Sequence, residues 1–204
     1  MAAPRVFLLS PARADGQHMR MLLRPAAQFD LAQRVRRGEA TLGEAFEFAS
    51  GLYFRGKRAY ARAFARPPPG LPGALVMAPG AGLVPEDTRI TAEQLVAMGE
   101  VPVEEDEPRF TEPLLSSAKL LCGALGRDAD VVLLGSIASQ KYLTPLLSIF
   151  DNQLLFPGDF VGRGDMSRGG LLLRCVSSNT ELNYQSVQGA QLHGKRPPKL
   201  PRLR

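Results

Sequence analysis

The residues best suited to chemistry lie in one short run, Val161–Gly170, which holds four glycines, two arginines, an aspartate and a serine between two apolar segments. Glycines let a backbone approach a ligand closely, and arginine forks bind phosphate and carboxylate groups. The run therefore predicts an anion-binding loop, with an ordinary turn as the alternative. Its candidate ligand-binding residues are Arg163, Gly164, Ser167 and Arg168.

The glycines of this run do not form a standard nucleotide motif. Gly162 and Gly164 superficially resemble the start of a dinucleotide-binding loop. The apolar residues that follow predict a strand, however, where that motif requires a helix. An anion site of another kind is the prediction that remains.

Three carboxylates are candidate acid/base groups. Asp159 and Asp165 lie six residues apart around a glycine hinge, so either could transfer a proton or bind a cation while the arginines orient an anion. An internal ion pair between aspartate and arginine, or an aspartate that stabilises the turn, is the alternative. Glu47 lies between Phe46 and Phe48, where partial burial would suit an acid/base role; its alternative is a solvated helix face.

Apolar strands and helices must position these residues. Buried strands are predicted at Val6–Leu9, Ala74–Ala78 and Val131–Leu134, with helical patterns between them. Two further strands, Leu154–Phe160 and Leu171–Val176, are predicted on either side of the glycine-rich run and are expected to pair antiparallel at one edge. This alternation predicts one α/β domain with a mostly parallel sheet of about five strands, helices on both faces and an antiparallel edge hairpin.

The carboxyl ends of parallel strands share one edge of a sheet, where such folds bind ligands. Loops begin there after each of the first three strands. The loop after the third strand is the strongest candidate, because it leads into the positive end of a helix; a structural turn is the alternative. The candidate ligand-binding residues of the three loops are Ser10, Gly82, Gly135, Ser136 and Lys141.

An amphipathic helix predicted near residues 52–65 adds Tyr53 and Lys57 to the candidates. The helical spacing places Tyr60 and Phe64 on a buried face and directs Lys57 toward solvent or a ligand.

Three segments resemble a group of uncharacterised bacterial domains of unknown function. The matching pieces are Phe7–Ser10, then Leu52–Tyr53 with Lys57 and Tyr60–Ala61, and Gly82–Thr88. The resemblance covers roughly the first half of the chain, and Gly162–Gly170 resembles a narrower subgroup. The first loop departs from the group because it has neither a cysteine nor a lysine. The resemblance implies an α/β fold and a role for these loops, and it implies no activity.

Charge is distributed unevenly along the 204 residues. Residues 1–74 carry 12 Lys and Arg against 5 Asp and Glu, and residues 131–204 carry 9 against 4, whereas residues 75–130 carry 4 against 11. Basic, arginine-rich flanks suit polyanions and acidic partners. The codon bias of a GC-rich genome would produce the same arginine, alanine and proline content.

We expect one domain at residues 1–193, followed by a basic, proline-rich tail at residues 194–204 that is disordered or bound to a partner. No segment is long and apolar enough to span a bilayer, and no export signal precedes the first strand, so we expect a cytoplasmic protein without membrane contact. Cys122 and Cys175 are far apart and the two histidines lie near opposite ends. The cysteines and histidines therefore leave little room for a metal site, and metal dependence is left open.

Two functions of different classes are compatible with these features. One is an enzyme that binds a nucleotide or a nucleic-acid-derived phosphate ligand at the strand-end loops, with Asp159 or Asp165 as the acid/base group in hydrolysis or glycosyl transfer. The other is a non-catalytic binding or assembly module that contacts a polyanion or an acidic protein through its arginine-rich face and tail. The cofactor, the substrate and the formation of a homo-oligomer are left open.

Overall fold

Within residues 3–200, which the computed structural model describes, six strands form one sheet in the order β3-β2-β1-β4-β5-β6. β1, β2, β4 and β5 are parallel, whereas β3 is antiparallel to β2 and β6 is antiparallel to β5. The predicted α/β fold with a mostly parallel sheet is confirmed. The strands are β1 (Arg5–Leu9), β2 (Ala74–Ala78), β3 (Gly82–Pro85), β4 (Asp130–Leu134), β5 (Leu154–Pro157) and β6 (Tyr184–Ser186).

Helices cover both faces of this sheet. The described residues form α1 (Gln17–Leu22), α2 (Asp30–Arg36), α3 (Leu42–Ser50), α4 (Leu52–Phe64), α5 (Ala92–Gly99), α6 (Pro108–Leu125), α7 (Gln140–Phe150) and α8 (Asp165–Ser177). α4 packs against α8, α3 and β1, whereas α6 packs against α7 and β3. Every residue of β1 and β2 is buried, as expected of parallel strands that helices cover on both sides.

The segment after the glycine-rich run is a helix, and the strand predicted at Leu171–Val176 is wrong. The buried positions of α8 are Arg168, Gly169, Leu172 and Cys175, which are spaced as one face of a helix. A short apolar run cannot by itself distinguish a buried strand from a buried helix. The antiparallel pairs lie elsewhere, at β2–β3 and β5–β6.

This correction also changes the position of the glycine-rich run. The run follows the carboxyl end of β5, through a 3-10 turn at Gly158–Phe160, and leads into α8. The run therefore leads into a helix, and the prediction that a strand follows it is wrong. The third glycine, Gly169, still comes too late for a dinucleotide-binding motif. Residues 161–164 of the run form a fourth strand-end loop at the carboxyl edge of the sheet, and residues 165–170 are the first turns of α8.

α4 and α8 cross with their backbones in direct contact. A Cβ atom added to Gly56 would lie 2.7 Å from the carbonyl oxygen of Gly169, and one added to Gly169 would lie 2.7 Å from the carbonyl oxygen of Leu52. Side chains at either position would separate the helices. The crossing therefore requires glycine on both helices, and it brings the side chains of α4 next to those of the first turns of α8.

The proposed boundary between a domain at residues 1–193 and a tail at residues 194–204 remains a prediction. In the described part of that tail, Gly194 and Lys195 lie directly against Val161 and Gly162. Residues 1–2 and 201–204 lie outside the described residues. No helix within residues 3–200 is long and apolar enough to cross a membrane.

Gly56→Ala and Gly169→Ala should each lower the free energy of unfolding by about 1–3 kcal/mol, because the added methyl group forces two backbones apart. Gly123→Ala is the matched control, since Gly123 also lies in a helix but an added Cβ there meets nothing within 4 Å. That control should be neutral or stabilising by up to about 1 kcal/mol. Urea unfolding followed by circular dichroism measures all three, and equal effects at positions 56 and 123 would contradict the close crossing.

Candidate functional site

The amine of Lys57 is buried at the carboxyl edge of the sheet. Lys57 is only 1% exposed. Its Nζ donates hydrogen bonds to the carbonyl oxygen and the hydroxyl of Ser10, at 2.5 and 2.9 Å. Ser10 directly follows β1 and is itself buried. The amine is therefore fixed beneath the end of a central strand.

Lys57 does not face solvent, because its neighbours on α4 form a buried face. Tyr53, Phe54, Tyr60 and Ala61 lie three or four residues away on the helix, and all are buried. The Nζ atom lies 4.5 Å from the ring centroid of Tyr53 and 4.8 Å from that of Phe54. These aromatic faces give the ammonium form some electrostatic stabilisation in place of water.

Burial lowers the pKa of Lys57 from 10.5 to about 7, because the ammonium group loses its hydration. The Asp165 carboxylate raises this pKa and the Arg168 guanidinium lowers it, both through charge. Among the described residues, the hydrogen-bonding partner of the amine is the uncharged Ser10 and not a carboxylate. At neutral pH the amine is therefore divided between its protonated and neutral forms.

Two further hydrogen-bond donors lie close to this amine. Tyr53 is 6% exposed, and its hydroxyl has no well-formed hydrogen-bond partner among the described residues, although the Arg168 side chain lies close enough to lower its pKa through charge and as a hydrogen-bond donor. Burial raises the pKa of Tyr53 above its ordinary value, so the hydroxyl keeps its proton. Arg168 is 7% exposed and donates from Nε and a terminal nitrogen to the carbonyl oxygen of Phe160, at 3.3 and 3.1 Å. Lys57, Tyr53 and Arg168 thus form a buried, donor-rich cluster.

A cavity of about 390 Å³ opens at the same edge of the sheet. Its walls include Pro11–Asp15 after β1, Pro79 after β2, and Lys141 and Tyr142 at the start of α7. Gly135, which directly follows β4, packs against Ser10, the residue before Pro11 of this wall. A Cβ added to Gly135 would lie 3.0 Å from Cβ of Ser10. The volume is in the range of small-molecule sites, typically about 300–1,000 Å³.

Tyr142 interacts electrostatically with Tyr53 of the buried donor cluster, whereas Lys57, Tyr53 and Arg168 do not themselves line the cavity. Tyr142 lines the cavity, and the ammonium group of Lys141 lies 5.7 Å from its ring centroid. The pKa of Tyr142 is raised by burial and also by the nearby Tyr53, Asp165 and Glu104. The sequence analysis did not include Tyr142. An aromatic residue in the first turn of the helix that follows a strand-end loop is the sequence feature that could have identified Tyr142.

The glycine-rich run divides between two places. Asp165 and Arg168 lie on the side of Lys57, and a weak ion pair of 3.7 Å joins them, which is the alternative considered for these residues. Arg163 instead donates to the carbonyl oxygen of Asp159 at 3.0 Å and to the hydroxyl of Ser167 at 3.2 Å. The Asp159 carboxylate is on an exposed residue of the 3-10 turn. Gly164 is the residue that precedes α8, in an extended conformation.

Other candidates lie outside the donor cluster. Glu47 forms an ion pair with Arg58 at 3.0 Å and lines a different cavity, between α3 and α4. Gly82 has a positive φ and packs against the backbone of Pro113 in α6, so its local role is close packing. Ser136 is half-buried directly after β4. Within residues 3–200, no group of three or more His, Cys, Asp or Glu side chains is arranged to hold a metal ion.

Lys57→Met should reduce the gain in stability with rising pH. Between pH 7 and 10.5 the unfolded chain binds more protons at position 57 than the folded chain does. This difference makes the free energy of unfolding rise with pH, by at most about 1.4 kcal/mol per pH unit. In urea titrations, the free energy of unfolding of the wild type should therefore increase relative to that of the variant from about pH 7.5 to about 9.5. If the difference in the free energy of unfolding between the two proteins stayed constant over this pH range, a lowered pKa of the buried amine would be contradicted.

Tyr53→Phe should leave the free energy of unfolding unchanged or raise it by up to about 1 kcal/mol, because it removes a buried hydroxyl without a well-formed hydrogen bond. Tyr60→Phe is the matched control. The Tyr60 hydroxyl lies 2.7 Å from that of Tyr184 and accepts from the N–H of Leu182 at 2.7 Å. Its loss should cost about 1–3 kcal/mol. Thermal unfolding compares the two variants, and a larger loss for Tyr53→Phe would show that its hydroxyl has a structural partner.

Comparison with known proteins assigns no family to this arrangement: no family model, no curated protein and no solved structure matches the chain.

Proposed function

We propose that the domain is an enzyme that binds a phosphate-bearing small molecule of the nucleotide class at the carboxyl edge of the sheet and uses Lys57 to transfer a proton. The observation that carries this proposal is the buried Lys57 amine, hydrogen-bonded to Ser10 without a carboxylate partner among the described residues. Keeping a lysine in such a place destabilises the fold, because burial disfavours the charged form. A role in proton transfer explains why a lysine is kept there despite this destabilisation.

The protonation of Lys57 suits acid/base catalysis. A group whose pKa lies near the working pH both accepts and donates protons efficiently. The neutral amine would remove a proton from an attacking water or hydroxyl, and the ammonium form would protonate a leaving group. Hydrolysis and glycosyl transfer both use such steps. Asp165 raises the pKa of Lys57 through its charge, so its role would be to adjust the amine.

The surroundings of the cavity suit a phosphate group. α7 begins at the cavity wall, and the partial positive charge at a helix amino terminus stabilises a bound anion. Lys141, at the second position of α7, adds a formal positive charge. Arg13 is already paired with Asp15 at 3.0 Å, so it contributes less. We assign the phosphate to the start of α7 and the reacting end of the ligand to the side of Tyr142 and Lys57.

Ion pairs within the protein weigh against the alternative of a polyanion-binding face on the amino-terminal helices. Arg34 pairs with Asp30 and Glu44 at 2.9 and 2.8 Å. Arg58 pairs with Glu47 and with the buried Glu86. These arginines are largely neutralised by their own neighbours. The tail is the other part of that alternative, and its residues Arg196 and Lys199 lie beside α8.

AMP binding tests the proposal directly. The phosphate charge should stabilise the Lys57 ammonium form, so binding at about pH 8 should take up a proton. Isothermal titration calorimetry in two buffers of different ionisation enthalpy measures that uptake. We expect Lys57→Met to abolish it, and Lys141→Met to weaken AMP binding about tenfold or more, the effect of one charged hydrogen bond.

Lys119→Met is the matched control for these variants. Lys119 is an exposed residue of α6 that does not line the cavity, so the substitution should change neither affinity nor proton uptake. The absence of AMP binding by the wild-type protein, or proton uptake that persists in Lys57→Met, would overturn the proposal.

A further inference from the structure

A further cavity lies between α8 and the extended segment at residues 196–200. Its volume is about 350 Å³. The residues that line it include four cations, Arg163, Arg174, Arg196 and Lys199, together with Ser167 and Gly170 of α8. No Asp or Glu is among the described residues that line it. We call this cavity the tail groove, and none of its lining residues lines the cavity at the strand-end loops.

The tail groove is held in place by glycines. Gly162 has a φ of +72°, and a Cβ at this position would collide with the carbonyl group of Lys195. A Cβ on Gly194 would lie 2.7 Å from a methyl carbon of Val161. Residues 194–195 thus rest on the loop before α8, which directs the following residues along the helix. The geometry of the groove is therefore set by backbone contact.

The charges of the tail groove are only partly compensated. Arg163 donates to a backbone carbonyl oxygen and to the Ser167 hydroxyl, which are both uncharged acceptors. Arg196 and Lys199 are exposed residues, and no ion pair to either is formed within the described residues. Like charges gathered around one small groove repel one another. A bound polyanion would relieve that repulsion and release counterions.

The lining of the tail groove also restricts the kind of polyanion. No aromatic side chain is present among the described lining residues. Proteins that bind the bases of single-stranded nucleic acids stack them on aromatic rings. Arginine forks, by contrast, match the oxygens of phosphate groups. The groove therefore suits phosphates and offers no platform for bases.

We propose that the tail groove is a second anion site that binds two or more adjacent phosphate groups, either of a free polyphosphate chain or of a nucleic-acid backbone. The site goes beyond the proposed enzymatic function and does not depend on it. Arg163 and Ser167 would contact the phosphates from α8, and Arg196 and Lys199 would contact them from the tail. The tail would thereby be fixed more firmly against α8.

Inorganic tripolyphosphate is the probe, and calorimetric titration at low ionic strength is the measurement. The double variant Arg196→Gln/Lys199→Gln should weaken binding about tenfold or more, because two charged donors are lost. The double variant Arg24→Gln/Lys119→Gln is the matched control: it removes the same net charge from exposed residues that do not line the groove. Equal losses in the two variants, or no binding by the wild type, would overturn the proposal.

Two further arms separate the source of the phosphates and the two sites. If a short DNA duplex binds more tightly than tripolyphosphate, and the Arg196→Gln/Lys199→Gln variant loses both, the backbone is the natural source; tighter tripolyphosphate binding assigns a free polyphosphate. Lys141→Met, at the phosphate position of the carboxyl-edge site and outside the tail groove, should leave tripolyphosphate binding unchanged. If it removes that binding, tripolyphosphate occupies the carboxyl-edge site and the second site is refuted. AMP binding without tripolyphosphate binding in the groove would leave the enzymatic proposal standing alone.

Discussion

The contact between Gly56 of α4 and Gly169 of α8 is the constraint on which the candidate site depends. Because neither helix has a side chain at the crossing, backbone atoms meet directly. Tyr53 and Lys57 lie on either side of Gly56 along α4, and Arg168 immediately precedes Gly169. A wider crossing would separate these three side chains and admit water between them. The donor-rich cluster is thus a product of helix packing as much as of its own polar contacts.

Close packing also explains why the amine of Lys57 behaves differently from that of a surface lysine. Buried apolar neighbours remove its hydration, and its hydrogen-bonding partner, Ser10, carries no charge to replace it. The exposed carboxylate of Asp165 favours the positive charge and is the larger of the two charge effects, while the guanidinium of Arg168 disfavours it. The pKa of the amine therefore reflects a balance between packing and charge, and small changes on α8 would alter it.

The fold was predictable from sequence to a greater degree than the site. Apolar runs such as Val6–Leu9 and Ala74–Ala78 are buried strands in any parallel sheet, so their pattern was sufficient. The leucines at 171–173 were ambiguous, since a short apolar run fits a strand and a helix equally. The burial of Lys57 depends on α8, and the sequence pattern predicts a strand at Leu171–Val176 within this helix. Glu47 forms an ion pair with Arg58, a partner that its sequence neighbours Phe46 and Phe48 do not indicate.

Helical geometry also accounts for the division of the glycine-rich run. Ser167 and Arg168 are consecutive in α8, and consecutive residues of an α-helix point about 100° apart. One direction leads to the buried cluster at Lys57, and the other leads to Arg163 and residues 196–200. The two arginines of the run therefore have different surroundings, Arg168 at the buried cluster and Arg163 at the tail groove. A single helix turn thus contributes hydrogen-bond donors to a buried cluster inside the domain and also lines a groove beneath the tail that is rich in cations.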